Sequence, residues 1–123
     1  MRSGGLLGLL FRRRAPRDTA AVDQDVVRQL RALGADLTLP RHVRHFLYFR
    51  EEGFARRAAE QIEKADYTTT VSAPSEEAPE WTVLAEGYRV IGEGTVPGFR
   101  AWFEHIAADY NGDYDGWEPA TKP

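Results

Sequence analysis

Residues 43–73 read VRHFLYFREEGFARRAAEQIEKADYTTTVSA, and the fold turns on how that run divides. Val43 to Phe49 is rich in β-branched and aromatic residues and becomes apolar on both faces towards its end, the mark of a central strand. From Glu51 to Ala65 the period changes to that of a helix. Phe54, Ala58, Ile62 and Ala65 fall on one stripe, while Arg56, Arg57, Glu60 and Glu63 face water. Tyr67 to Ala73 returns to strand composition.

Working outward, Pro74 to Pro79 (PSEEAP) reads as an exposed connection. Trp81 to Ala85 is a third strand, with room to continue to Val90 past Gly87. Phe99, Trp102, Phe103, Ile106 and Tyr110 then form a wide aromatic stripe on a second helix. Pro97 suits that helix's first turn and Asn111-Gly112 its left-handed stop. Tyr114 to Glu118 follows as a short fourth strand. On the other side, a helix runs from Asp18 or Thr19 to about Leu33, with Val22, Val26, Leu30 and Leu33 as its stripe and Gly34 at its end. The order is a helix, then β-α-β-β-α-β. This predicts an α+β, ferredoxin-like sandwich: a four-stranded antiparallel sheet with two helices on one face and an extra N-terminal helix.

The chain has 123 residues, enough for one domain, with 42% hydrophobic and 28% charged residues and no cysteine. Lack of cysteine excludes disulfides, thiolate metal sites and a thiol nucleophile, and suits a cytoplasmic protein. Charge is uneven. Residues 1–17 hold Arg2, Arg12, Arg13, Arg14, Arg17 and no acid, so they carry +5; the remaining 106 residues carry −8. Such a body repels nucleic-acid phosphates and favours a basic partner. Gly4 to Phe11 (GGLLGLLF) is apolar but far shorter than the roughly 20 residues that span a bilayer. The main arginine cluster, Arg12-Arg13-Arg14, follows the apolar run, whereas a secretory signal puts its positive charges before it. Residues 1–17 thus read as a disordered tail, or as a weak contact with an anionic membrane surface. Residues 18–119 form the domain, and 120–123 a short C-terminal tail.

The most chemical-looking stretch is Asn111 to Glu118, NGDYDGWE. It matches the first six positions of an EF-hand loop, but the ninth is Pro119 and the closing glutamate is replaced by Lys122. On a regular strand Asp113 and Asp115 share a face, whereas Tyr114 and Trp117 point to opposite faces, one into the core and one outward. His42 and His45 also point to opposite faces, and His105 lies off the aromatic stripe towards solvent. No catalytic constellation emerges, and neither a cofactor nor a metal is expected. Phe46 and Tyr48 share one face of the first strand, and Trp81 on another strand would complete a base-stacking platform for single-stranded RNA. The acidic body and the missing basic-aromatic RNA-binding motif weigh against that alternative.

Pro40-Arg41-His42-Val43-Arg44-His45-Phe46-Leu47-Tyr48-Phe49, the strand around Trp81, and Tyr110-Asn111-Gly112-Asp113-Tyr114-Asp115-Gly116-Trp117-Glu118 together resemble the regulator of ribonuclease E activity B (RraB) family over residues 23–119. The resemblance implies the same sandwich and a non-catalytic protein that binds a ribonuclease E-type endoribonuclease and inhibits it. Within these motifs His45, Tyr48, Tyr114, Asp115, Trp117 and Glu118 are the candidate partner-binding residues. Two departures stand out. Asp66 precedes Tyr67 where relatives often have glycine, and the ends of this chain lack the acidic character of enterobacterial-type members.

Overall fold

A computed structural model describes residues 19–122. The expected tail at 1–17 and the cap at Asp18 lie outside these residues. The elements follow the expected order: α1 Thr19–Ala32, β1 Arg41–Phe49, α2 Glu52–Glu63, β2 Thr68–Ser72, β3 Trp81–Arg89, α3 Val96–Asp109 and β4 Asp113–Pro119. The strands form one antiparallel sheet in the order β2-β3-β1-β4, the arrangement of a ferredoxin-like sandwich with an added N-terminal helix.

The alternation of β1 divides the molecule. Val43, Leu47 and Phe49 face the helices and are buried, and His45 lies with them. Under α2 and α3, Leu47, Phe49, Val83 and Ala85 pack with Ala55, Ala58, Ala59, Ile62, Phe103 and Ile106. The buried stripe of α2 is therefore rotated slightly from the expected one: Ala55 and Ala59 are buried, and Phe54 is half-buried. A second cluster joins Val26, Val27 and Leu30 of α1 to Val43, Ile91, Val96 and Trp117. Leu33, expected on the α1 stripe, is 69% exposed, because the buried face is centred on Asp23, Val26, Val27 and Leu30.

Two helix ends place a residue other than glycine in the left-handed region. Asn111 has φ 57°, its amide donates to Ala108 and the Gly112 amide donates to Ala107, so Asn111-Gly112 closes α3 as expected. A Cβ on Gly112 would sit 2.4 Å from Phe49 and 2.5 Å from the Tyr48 carbonyl, so only glycine lets β4 begin this close to β1. After α2 the left-handed position falls on Asp66, with φ 67°.

Candidate functional site

The sheet's outer strand β4 departs from a regular strand at one point. Phe46 pairs with Gly116, but the next residue of β1, Leu47, pairs with Tyr114. Asp115 is the extra residue of a β-bulge, and Gly116 takes φ 135°, a conformation open chiefly to glycine. The bulge changes which way the aromatic rings point. Tyr114 and Trp117, three apart, both enter the helix-facing layer, which corrects the expectation of opposite faces. Tyr114 stacks on Phe103 at 5.2 Å and Trp117 meets Phe99 edge-on at 5.1 Å. Asp115 is buried in the bulge while Asp113 is exposed, so the two carboxylates differ in environment as well.

Trp117 anchors a buried polar knot. Its indole Nε1 donates to Oδ1 of Asp23 at 2.8 Å, and Arg100 donates to both oxygens of the same carboxylate. Arg100 also donates to Glu104 at 3.0 Å and lies over the Tyr114 ring at 5.0 Å. Burial alone would lower the Arg100 pKa, but the hydrogen bond and charge of Asp23 outweigh it and raise the guanidinium above its ordinary value. The knot joins α1, α3 and β4. Neither Asp23 nor Arg100 stood out in the sequence; the available signal was an acid inside the apolar stripe of α1 and a base inside the aromatic stripe of α3.

His45 pairs with Trp117 across the ladder and stacks on Phe103 at 4.0 Å. Its Nδ1 lies 2.8 Å from the Tyr114 hydroxyl, and its Nε2 is buried with no hydrogen-bond partner among the described residues. Burial, then the charges of Arg89 and Arg100, hold its pKa well below the ordinary histidine value, so the ring is neutral. Burial likewise drives the Tyr114 hydroxyl well above the ordinary tyrosine range, with Arg100 opposing the shift.

The opposite face of the sheet is ordered in rows by the pairing. His42 lies beside Tyr88; Arg44 beside Glu86 and Glu118; Phe46 beside Leu84 and Gly116; Tyr48 beside Thr82 and Asp113. His42 contacts Glu86 at 3.0 Å and Arg44 is ion-paired with Glu118. Phe46 and Tyr48 share this face as expected, but they are 5% and 0% exposed. Trp81 does not join them. It pairs with Phe49 and packs against the helix-facing core.

The six expected contact residues thus meet on β1 and β4 but divide between faces. His45, Tyr114 and Trp117 enter the helix layer, Tyr48 and Glu118 lie on the other face, and Asp115 sits in the bulge. His105 is exposed beside Asp109, as expected. The end of the sheet beyond Tyr48 is acidic. Glu51 and Glu52 follow β1, Glu76, Glu77 and Glu80 precede β3, and Asp113 opens β4, with Arg50 among them.

Beside the other end, Arg41 is fully buried without a carboxylate partner among the described residues. Its guanidinium donates to the carbonyls of Asp36, Ala120 and Thr121, and its Nε has no partner. The Ala120 amide donates to His42, so the ladder runs one residue past β4 and the segment expected as a C-terminal tail is tied down at its start. No described helix is long and apolar enough to cross a membrane.

No curated protein matches the chain. A family described as Regulator of ribonuclease activity B, RraB, matches residues 20–118, from the first turns of α1 to the end of β4, and the chain belongs to that family.

Proposed function

We propose that this member of the ribonuclease-regulator family is a non-catalytic docking protein that binds an RNA-processing endoribonuclease of the ribonuclease E type and lowers its activity. Family membership supports regulation of a ribonuclease. Docking rather than catalysis is supported by the use made of the polar side chains. Asp23, Arg100 and Trp117 satisfy one another, and the neutral His45 is held between rings.

The observation that carries the partner's chemistry is the acidic end of the sheet. Glu51, Glu52, Glu76, Glu77 and Asp113 are all exposed there, on a body of charge −8. A basic segment of the nuclease is the complement, and such pairing speeds encounter and selects partners. His45, Tyr48, Tyr114, Asp115, Trp117 and Glu118 serve this reading mainly by fixing the shape of the β1–β4 end.

The test is cleavage of a labelled RNA by a purified ribonuclease E-type enzyme, with and without the chain, together with co-elution of the two proteins. Slower cleavage and a complex weakened by salt are expected. A nuclease that neither slows nor co-elutes overturns the proposal. The rival reading, direct RNA binding on the face bearing Phe46 and Tyr48, is opposed by the carboxylates of Glu86, Glu118 and Asp113 on that face. Binding of short single-stranded RNA by the chain alone would favour it.

A further inference from the structure

We propose that the outer edge of β2 is a docking site for an extended, basic segment of a protein partner, which adds there as a fifth strand of the sheet. The open edge stands by itself. In naming the partner basic, the inference rests on the proposed docking function and extends it to a mode of binding.

The two edges of the sheet are built differently. β4 is blunted as an edge strand: it carries the bulge at Asp115, Pro119 has no amide to offer, and Asp113 and Glu118 place carboxylates along it. β2 has none of these devices. Its five residues, Thr68, Thr69, Thr70, Val71 and Ser72, include no proline, glycine or charged side chain. They pair one to one with β3, from Glu86 to Thr82, without a bulge. All but Ser72 are β-branched, the side chains that suit a pleated surface. β2 ends the sheet order, and among the described residues no strand or loop pairs with its outer edge. A row of backbone N–H and C=O groups therefore faces solvent, ready for another strand.

The surroundings define the partner. Val71 packs against the helix-facing core, and Thr69 lies on the same side, where its hydroxyl donates to Glu63. Thr68, Thr70 and Ser72 are exposed on the other side. An added strand thus finds an apolar neighbour towards the helices and solvent on the opposite face, which selects alternating apolar and charged residues. Carboxylates set the sign of the charge. Glu63 and Asp66 stand exposed before Thr68, with Lys64 between them, and Glu76 follows Ser72. Ser72 pairs with Thr82, and Thr82 with Tyr48, so this end of β2 opens onto the acidic end of the sheet. A second copy fits badly. Antiparallel pairing of two β2 strands about Thr70 would set Glu63 and Asp66 of each copy against Glu76 of the other, like charges together.

The test adds a capped heptapeptide of alternating lysine and valine to the full chain and follows backbone amide shifts and hydrogen exchange. Amides of residues 68–72 are expected to shift, and those pointing outward to exchange at least fivefold more slowly. The matched peptide of glutamate and valine should leave them unchanged. Glu63→Lys combined with Glu76→Lys, both at exposed positions, is expected to weaken binding of the lysine peptide at least fivefold. Amides of β2 that respond to neither peptide, or to both alike, overturn the proposal. So does slowing that grows with chain concentration in the absence of peptide, which would assign the edge to a second copy. Repeating the exchange with the ribonuclease separates the two proposals. A co-eluting nuclease that leaves exchange in β2 unchanged overturns strand addition alone. A lysine peptide bound on β2, beside a nuclease that does not co-elute, supports strand addition and removes the nuclease as its partner.

Discussion

The Trp117 indole donates to the Asp23 carboxylate across 94 residues of sequence, so the last strand of the domain is fastened to its first helix by one hydrogen bond. Arg100 fills the other side of that carboxylate from α3. The arrangement is a buried charge pair whose members depend on each other, and such pairs show their importance most when broken from one side.

Replacing Asp23 by Ala leaves the Arg100 cation buried without its main partner, and is expected to cost about 3–5 kcal/mol. Trp117→Phe keeps most of the ring and loses the donor, for about 1–2 kcal/mol. Trp117→Ala also leaves a cavity beside Phe99 and costs about 3–5 kcal/mol. Urea unfolding of the variants measures all of these. A loss for Asp23→Ala no larger than that for Trp117→Phe would show that Arg100 finds another partner.

His45 makes stability depend on pH. Its folded pKa lies well below the unfolded value of about 6.5, so the unfolded chain binds the extra proton. Its contribution is whole above that value and falls by about 1.4 kcal/mol per pH unit below it, until the folded pKa is reached. The urea midpoint is expected to drop from pH 7 to pH 5. The fall should be shallower in His45→Gln, and equal slopes in the two proteins would remove His45 as its source.

The bulge predicts an unusual tolerance. Deleting Asp115 leaves Tyr114 opposite Leu47, Gly116 opposite Phe46 and Trp117 opposite His45, which is a regular ladder with the same rings inward. The deletion is therefore expected to fold, and the near-ultraviolet circular dichroism of its aromatic residues should stay close to that of the parent. Gly116→Val, which keeps the bulge but forbids its backbone, is expected to be the worse variant. Loss of fold in the deletion with retention in Gly116→Val would reverse this picture.

Asp66 occupies a left-handed position where glycine rests without strain. Asp66→Gly is expected to raise stability by about 0.5–1 kcal/mol, read as a higher melting temperature. A lower one would mean that the aspartate side chain repays its backbone cost.

Local rules made the elements legible. The change of period between Phe49 and Glu51, the aromatic stripe of α3 and the Asn111-Gly112 stop each belong to a few neighbouring residues, and each stands where the pattern placed it. What local pattern could not supply was pairing. The bulge exists only as a mismatch between β4 and β1, so the outward turn expected for Tyr114 or Trp117 failed on one residue of register. Asp23 and Arg100 were hidden for a related reason. Each breaks the rule of its own helix, and only their meeting makes the pair sensible. The candidate site was legible as a pair of strands, but not in its division between two faces.

The neighbour of β1 on one side is the last of the domain's described strands to be made. Until Pro119 has left the ribosome, β1 lacks one of its two ladders, His45 has no Trp117 opposite it, and Asp23 has no indole to bind. A nascent chain holding α1 to α3 would carry a half-made sheet with a bare edge at its centre, a state prone to wrong pairing. Such long-range pairing is also slow to form, because the intervening chain must be brought together first. The domain therefore closes only once synthesis has passed β4, and chaperones have their natural opening in the interval before that.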